Sequence, residues 1–102
     1  MSILPNASPA RLAVDGELTI YRAAELKPVL LGALDGASQV EIDLGGVTEV
    51  DTAGMQLLLL AKRTAQSRDI ALHLVAHSPA VLDAIELLDL AAVFGDPLVV
   101  SA

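Results

Sequence analysis

The chain has 102 residues, a formal net charge of −7 at pH 7 and no cysteine. The length fits a single domain, and the lack of cysteine excludes disulfides and any metal or nucleophile site that depends on a thiol. The negative charge argues against nucleic acid or an anionic membrane as the partner, because both are bound mainly through basic surface. Aromatic residues make up only 2% of the chain, so we expect an aliphatic core.

The N-terminal residues predict neither a targeting signal nor a membrane anchor. Residues 1–10 contain two prolines and lack the basic stretch that begins a secretory signal. Elsewhere no uncharged apolar run approaches the length that spans a bilayer. We therefore expect a flexible tail over residues 1–10, a single domain over residues 11–102, a cytoplasmic location and no membrane insertion.

A short hairpin is predicted directly after this tail. The runs Arg11–Val14 and Glu17–Ile20 flank the dipeptide Asp15-Gly16. An Asp-Gly pair between two apolar runs favours a type I′ turn, because both central residues of that turn need a positive φ. We therefore predict two antiparallel strands over residues 11–20.

The first helix is predicted over Tyr21–Leu34. Its apolar residues recur at the i, i+3 and i+4 spacing that gives a helix one buried face. Pro28 falls inside this segment, where a proline removes a helical hydrogen bond and crowds the preceding turn. Two interpretations follow: the helix is kinked at Pro28, or its regular part begins near Lys27 with Pro28 as the first helical residue.

A strand with one buried and one polar face is predicted over Gln39–Leu44. Valine, isoleucine and leucine alternate there with glutamate and aspartate. Gly45-Gly46 ends the strand, and a second helix is predicted from about Ala53 to Ser67. This helix follows directly on a corner at residues 51–52.

The remaining elements predict another strand and another helix. Ile70–Val75 is apolar and alternating, and Ser78 before Pro79 is typical of a helix start. A short helical turn is expected at Leu90–Phe94 and a last strand at Leu98–Val100. The order of strands and helices predicts an α/β fold, with a mixed sheet of four to five strands and helices packed mainly on one face.

The candidate functional site is the corner where the second helix begins, at Asp51-Thr52-Ala53-Gly54-Met55. Aspartate and threonine are favoured N-cap residues, and the N–H groups and dipole at a helix N-terminus favour a phosphate. Gly54 costs the helix roughly 1 kcal/mol relative to alanine, which suggests that some group approaches it closely. Thr52 therefore has two interpretations, a helix cap or a phosphate acceptor.

The same corner resembles the Asp-Thr-Gly signature of aspartic proteases, but Ala53 interrupts that motif. A helix is also predicted directly after the corner, whereas those proteases are all-β. We therefore reject the protease interpretation.

A metal site is also not expected. His73 and His77 have no clear third ligand nearby in sequence, so both are predicted to be surface or loop residues. Asp15, Asp43 and Asp51 are interpreted as a turn residue, an outward strand residue and a helix cap, in preference to a shared carboxylate site.

Taken together, several segments resemble the STAS family, which is named for sulfate transporters and anti-sigma-factor antagonists. The resemblance covers roughly residues 11–100 and is carried by Asp15–Leu18, Val40–Leu44, Val50–Gly54 and the helix after Ser78-Pro79. The family fold is the mixed sheet with helices on one face. The resemblance implies a bacterial regulatory module that binds proteins, has no enzymatic activity and needs no cofactor.

The resemblance also implies a mechanism of partner switching in transcription regulation. In family antagonists, the hydroxyl residue after the corner aspartate is phosphorylated by a serine/threonine kinase that is also an anti-sigma factor. The unphosphorylated form binds that kinase, and a separate phosphatase reverses the modification. Carried over to this chain, the acceptor is Thr52, and Asp51, Ala53, Gly54 and Met55 belong to the contact surface.

The chain departs from the antagonist pattern at two places. Many antagonists have serine at the acceptor and at the next position, where this chain has Thr52 and Ala53. Many also have an acidic residue after Gly-Glu-Leu, where this chain has Thr19.

Small family members also resemble subunits of chemosensory systems and of lipid-transport ABC complexes, the latter docking on their ATPase through the same corner without phosphorylation. The alternative function is therefore a constitutive adaptor for chemosensory proteins or a transporter ATPase. An enzyme or a binder of small ligands is a distant third.

Overall fold

A computed structural model describes residues 10–87. The elements in chain order are β1 (Ala10–Ala13), β2 (Gly16–Leu18), α1 (Ala23–Gly32), β3 (Gln39–Asp43), β4 (Val47–Val50), α2 (Thr52–Ser67), β5 (Ala71–Val75) and α3 (Pro79–Leu87). The predicted α/β fold is confirmed, with five strands in this part of the chain. Of the expected tail over residues 1–10, Ala10 is the first residue of β1, and residues 1–9 lie outside the described part of the chain. The expected helical turn at 90–94 and the strand at 98–100 also lie outside it.

The five strands form two small parallel sheets. One has the order β1-β3-β5, and the other pairs β2 with β4. The chain from β1 into β2 runs beside the chain from β3 into β4, and hydrogen bonds continue across the junction between the sheets. There the Val14 N–H donates to the Asp43 carbonyl at 3.0 Å, and the Gly16 N–H donates to the Gly46 carbonyl at 2.9 Å.

The predicted antiparallel hairpin is wrong, because β1 and β2 each pair in parallel with a later strand. Gly16 has the positive φ that a type I′ turn needs, at 78°, but Asp15 does not share it. The two residues therefore bend the chain only slightly, and the ladder with β3 and β4 continues past them. Pairing with strands distant in sequence has overridden the local turn preference.

The core lies on one face of the three-stranded sheet. In β3 the predicted alternation is confirmed, since Val40 and Ile42 are fully buried while Glu41 and Asp43 are partly exposed. On that polar face Arg11 of β1 forms ion pairs with Glu41 at 2.7 Å and with Asp43 at 3.0 Å. The Gly45 N–H, and then Arg11, lower the pKa of Asp43 below its ordinary value.

The two later helices begin close to where the sequence predicts. α2 starts at Thr52, one residue before the expected start, and ends at Ser67 as predicted. α3 starts at Pro79, and the Ser78 hydroxyl accepts a hydrogen bond from the Val81 N–H at 3.2 Å. Within residues 10–87 no helix is both long enough and apolar enough to cross a bilayer.

α1 contains Pro28 in its interior. The helix begins at Ala23, so the interpretation with Pro28 as its first residue is wrong. Leu26 and Leu30 of this helix are buried, whereas Pro28 is exposed to solvent. The proline ring therefore crowds no core residue, and its cost lies within the helix, in the missing backbone donor and the crowding of the preceding turn.

We expect Pro28→Ala to stabilise the protein. A proline inside a helix costs about 3 kcal/mol relative to alanine, and part of this is offset because proline also restricts the unfolded chain. The free energy of unfolding should rise by about 1–2 kcal/mol in a urea titration. Val29→Ala, at an exposed neighbouring position of the same helix, is the control and should change stability little. Equal or lower stability of Pro28→Ala would contradict the expectation.

Candidate functional site

The corner is positioned by the pairing of β2 with β4. This pairing places Leu18 opposite Val50, and the next backbone N–H, that of Asp51, donates to the Leu18 carbonyl at 3.3 Å. Asp51 has an extended backbone, with φ of −119° and ψ of −177°, and α2 begins at the following residue. Its Oδ1 accepts a hydrogen bond from the Gly54 N–H at 2.9 Å. Asp51 is therefore the N-cap of α2, as predicted.

The second oxygen of the same carboxylate holds another part of the chain. Asp51 Oδ2 accepts a hydrogen bond from the Ile20 N–H at 2.9 Å, in the loop between β2 and α1. This contact, followed by the one from Gly54, lowers the pKa of Asp51 below its ordinary value because both N–H groups favour the charged carboxylate. One ionised side chain thus fixes both the first turn of α2 and the loop beside it.

Gly54 is required by a close backbone contact within the chain. A Cβ atom at this position would lie 1.8 Å from the Leu18 carbonyl oxygen. The close approach suggested by the glycine is therefore present, and the approaching group is the protein's own backbone. Gly54 is buried, and the neighbouring Met55 is only 1% exposed.

Thr52 is the first residue of α2 and is exposed to solvent. Its interpretation as the helix cap is wrong, because the Asp51 carboxylate supplies that hydrogen bond. The Thr52 hydroxyl is therefore presented at the positive end of the helix without being needed to cap it. Ala53, the next predicted contact residue, is half-buried.

A groove of about 420 Å³ opens beside Thr52, between the first turn of α2, the end of β4 and α3. The described residues that line it are mostly apolar, with two carboxylates and no basic side chain: Val50, Asp51, Thr52, Met55, Ala80, Asp83, Ala84 and Leu87. Met55 thus faces this groove although little of it reaches the surface.

The side of the groove that α3 contributes was not predicted from the sequence. Ala80, Asp83, Ala84 and Leu87 follow the spacing of one helix face, so the face itself was recognisable. That this face lies beside Thr52 depends on α3 packing against β4, a contact between segments about 35 residues apart. Such packing has no local sequence signal.

The residues considered for a metal or carboxylate site have separate structural roles. Asp43 binds Arg11 and the Gly45 N–H, Asp51 caps α2, and the exposed Asp15 lies beside Gly46. Within residues 10–87 no group of three His, Asp or Glu side chains is arranged to hold a metal ion.

The two histidines differ in their surroundings. His73 points outward from β5 and is exposed, as predicted. His77 lies in the predicted loop before α3 but is only 1% exposed, so it is not a surface residue. The side-chain alternation of a strand ends with β5, and burial after it depends on how α3 packs.

Gly54→Ala should destabilise the protein, because the added methyl group has no space beside the Leu18 carbonyl. Overpacking of this kind typically costs about 1–3 kcal/mol, which a urea titration would measure. Gly32→Ala is the matched control, since nothing lies within 4 Å of a Cβ at that position of α1. It should be neutral or stabilising. Similar losses for both variants would contradict the steric argument.

Asp51→Asn should lower the melting temperature at neutral pH. The asparagine side chain has one acceptor oxygen, so it cannot accept both backbone hydrogen bonds that the two carboxylate oxygens accept. The lowered pKa of Asp51 means that its contribution is complete above the ordinary carboxyl pKa and is lost as pH falls through the lower folded-state value. The gap between wild type and Asp51→Asn should therefore be widest above about pH 5 and narrow below about pH 4.

The same aspartate-to-asparagine change at the exposed Asp35 serves as a control. Its described contact is one ion pair with Arg68 at 3.3 Å, so Asp35→Asn should leave the melting temperature at pH 7 nearly unchanged. A constant gap between wild type and Asp51→Asn across this pH range would show that the charge of Asp51 is not what stabilises the corner.

Two solved structures show the same fold at low sequence identity. A sulfate transporter family protein from Wolinella succinogenes superposes with a TM-score of 0.73 at 19% identity, covering 92% of this chain and 76% of that chain. The anti-sigma factor antagonist SpoIIAA in its unphosphorylated form superposes with a TM-score of 0.66 at 16% identity, covering 94% of this chain and 87% of that chain. A comparison with curated proteins gives no significant sequence match.

A family sequence model described as "Mlab, STAS domain" matches residues 5–100. This match spans nearly the whole chain, and it agrees with the fold of the two solved structures. The chain therefore belongs to the STAS domain family.

Proposed function

We propose that this protein is a non-enzymatic regulatory module that binds a partner protein at the corner Asp51-Thr52-Ala53 and in the groove beside it. The observation that carries the proposal is the exposed Thr52 at the start of α2, where Asp51 already supplies the cap. The groove next to it offers apolar area for a partner. Below this surface, Gly54 packs closely against the Leu18 carbonyl, which ties the start of α2 to β2.

The principal form of the proposal is a phosphorylation switch of the anti-sigma-factor antagonist kind. In it, a partner serine/threonine kinase, which is also an anti-sigma factor, transfers a phosphoryl group to the Thr52 hydroxyl, and a phosphatase removes it. Because kinases use ATP, this proposal places the protein in the cytoplasm. The likeness to unphosphorylated SpoIIAA supports this form.

A phosphate on Thr52 would act on docking more than on folding. It adds roughly −1.5 to −2 charge at neutral pH, which the positive end of α2 tolerates. The same phosphate would lie in an apolar groove that also contains the Asp51 and Asp83 carboxylates. Its desolvation and the like-charge repulsion would therefore oppose a partner that must cover this surface.

A second candidate is a constitutive adaptor that docks through the same corner, either on the ATPase of a lipid-transport ABC complex or on chemosensory proteins. The described groove lining favours it, because it has no lysine or arginine that would pair with a phosphate. The match to the family model described as "Mlab, STAS domain" and the likeness to a sulfate transporter family protein also support it. In this form the unmodified Thr52 hydroxyl is part of the contact.

The two candidates are separated by recovering tagged protein from native cells and reading both its partners and Thr52 by mass spectrometry. A kinase-fold partner together with phospho-Thr52 would establish the switch. A transporter ATPase or a chemosensory protein together with unmodified Thr52 would establish the adaptor.

Substitutions at Thr52 give the quantitative test. Under the switch, Thr52→Glu should reduce recovery of the partner about tenfold or more, while Thr52→Ala should bind the partner and carry no phosphate. Thr48→Glu, which adds the same charge at an exposed position of β4, is the control and should bind normally. Binding of Thr52→Glu as tight as wild type would refute the switch.

A further inference from the structure

Large exposed hydrophobic side chains are concentrated around the corner. In the described part of the chain they are Ile20 at 60% exposure, Tyr21 at 89%, Val29 at 45% and Leu87 at 83%. Leu87 lines the groove beside Thr52, and Ile20 donates its N–H directly to the Asp51 carboxylate. Ile20, Tyr21 and Leu87 therefore belong to the segments that form or adjoin the site.

The backbone on both sides of Tyr21 is tied to the rest of the fold. The Ile20 backbone is fixed by Asp51, and the Arg22 guanidinium donates to the Glu17 carbonyl at 2.9 Å, which ties the start of the loop to β2. A tyrosine side chain has only two rotatable χ angles, so ordering it on binding costs little entropy. Tyrosine is also among the residues that most often contribute strongly to protein interfaces.

The α3 side of the groove is long enough to contact one face of a short helix. Its α3 side runs from Ala80 to Leu87, a rise of about 10 Å or two helical turns. Ala80 and Ala84 lie one turn apart on this side, and their small side chains allow a partner's larger ones to approach closely. An amphipathic helix places its apolar residues at the same spacing, which is the usual way in which a helix fills such a groove.

The charged side chains around the groove are acidic, which favours basic side chains on a partner. Asp51 and Asp83 line it, and Glu86 lines a neighbouring depression together with Asp83 and Leu87. No lysine or arginine is among the described lining residues, and the whole chain carries a charge of −7. A partner with lysine or arginine at the edge of its apolar face would therefore be favoured both in its approach and in its orientation.

We propose that the partner docks with a basic amphipathic helix, its apolar face seated in the groove and its lysine or arginine side chains directed at Asp83 and Glu86, and that Tyr21 is a second anchor for the same partner. This inference rests on the proposed function, because it takes docking at the corner as given. It adds the chemical nature of the partner segment and contacts from the β2–α1 loop and α3.

Photo-crosslinking in native cells tests the geometry. Benzoylphenylalanine would replace Tyr21 or Leu87 singly, and also Gln56, an exposed residue one turn after Thr52 that reports on the corner itself. Lys27, exposed on α1, is the negative control. We expect Tyr21 and Leu87 to crosslink to one protein, with Leu87 reaching a helical segment of it that combines apolar residues with lysine or arginine, and no crosslink from Lys27.

The outcomes distinguish the inference from the proposed function. A crosslink from Gln56 without any from Tyr21 and Leu87 would overturn the inference and leave docking at the corner standing. No crosslink to a protein from any of these positions would overturn both. Crosslinks from Leu87 to an acidic or non-helical segment, to a lipid, to a second copy of this chain or to the chain's own residues 88–102 would also overturn the inference.

Binding of a synthetic peptide of the crosslinked segment tests whether the acidic side chains attract the partner. Asp83→Asn should weaken its binding about threefold or more at low salt and much less at 0.5 M salt, because added ions screen the lost attraction. Asp35→Asn removes the same charge away from the groove and should have little effect. Tyr21→Ala should weaken binding of the intact partner about tenfold. Equal effects of the two asparagine variants, or unchanged binding by Tyr21→Ala, would overturn the inference.

Discussion

The Asp51 carboxylate is the interaction on which the site depends. Its two oxygens accept hydrogen bonds from the Gly54 N–H in α2 and the Ile20 N–H in the preceding loop. The first contact starts α2 at Thr52, and the second ties the loop at Ile20 to the corner. Without this carboxylate, Thr52 would be one of the groups available to cap the helix, and the loop would lose its tie to the corner.

Around this carboxylate the fold builds the groove to which we assign the docking of a partner. β2 and β4 bring their ends together, α3 packs against β4, and the space left between α3 and α2 is the groove. Both oxygens of Asp51 are engaged in holding the backbone, whereas Thr52 beside it is exposed. Apolar area, this exposed threonine and the acidic edges of the groove are the features on which the proposed docking rests.

Local features of this fold were predictable from sequence, and features that depend on distant contacts were not. The alternation in β3, the Ser78 cap and the aspartate cap of α2 each follow from residues within a few positions of one another. The hairpin prediction failed because the choice between a local turn and a parallel ladder depends on β3 and β4, more than 25 residues away. The groove was missed for the same reason, whereas the corner was found because its residues are consecutive.

The contact between Gly54 and the Leu18 carbonyl also has a consequence for engineering. No side chain larger than that of glycine fits at position 54, so any substitution there should lower the stability of the fold. Tyr21 and Leu87, by contrast, are exposed and belong to different elements, and neither is needed to hold the core. If a partner docks here as proposed, a protein engineer could therefore exchange these two outer residues to change the partner while the packing beneath Thr52 stays unchanged.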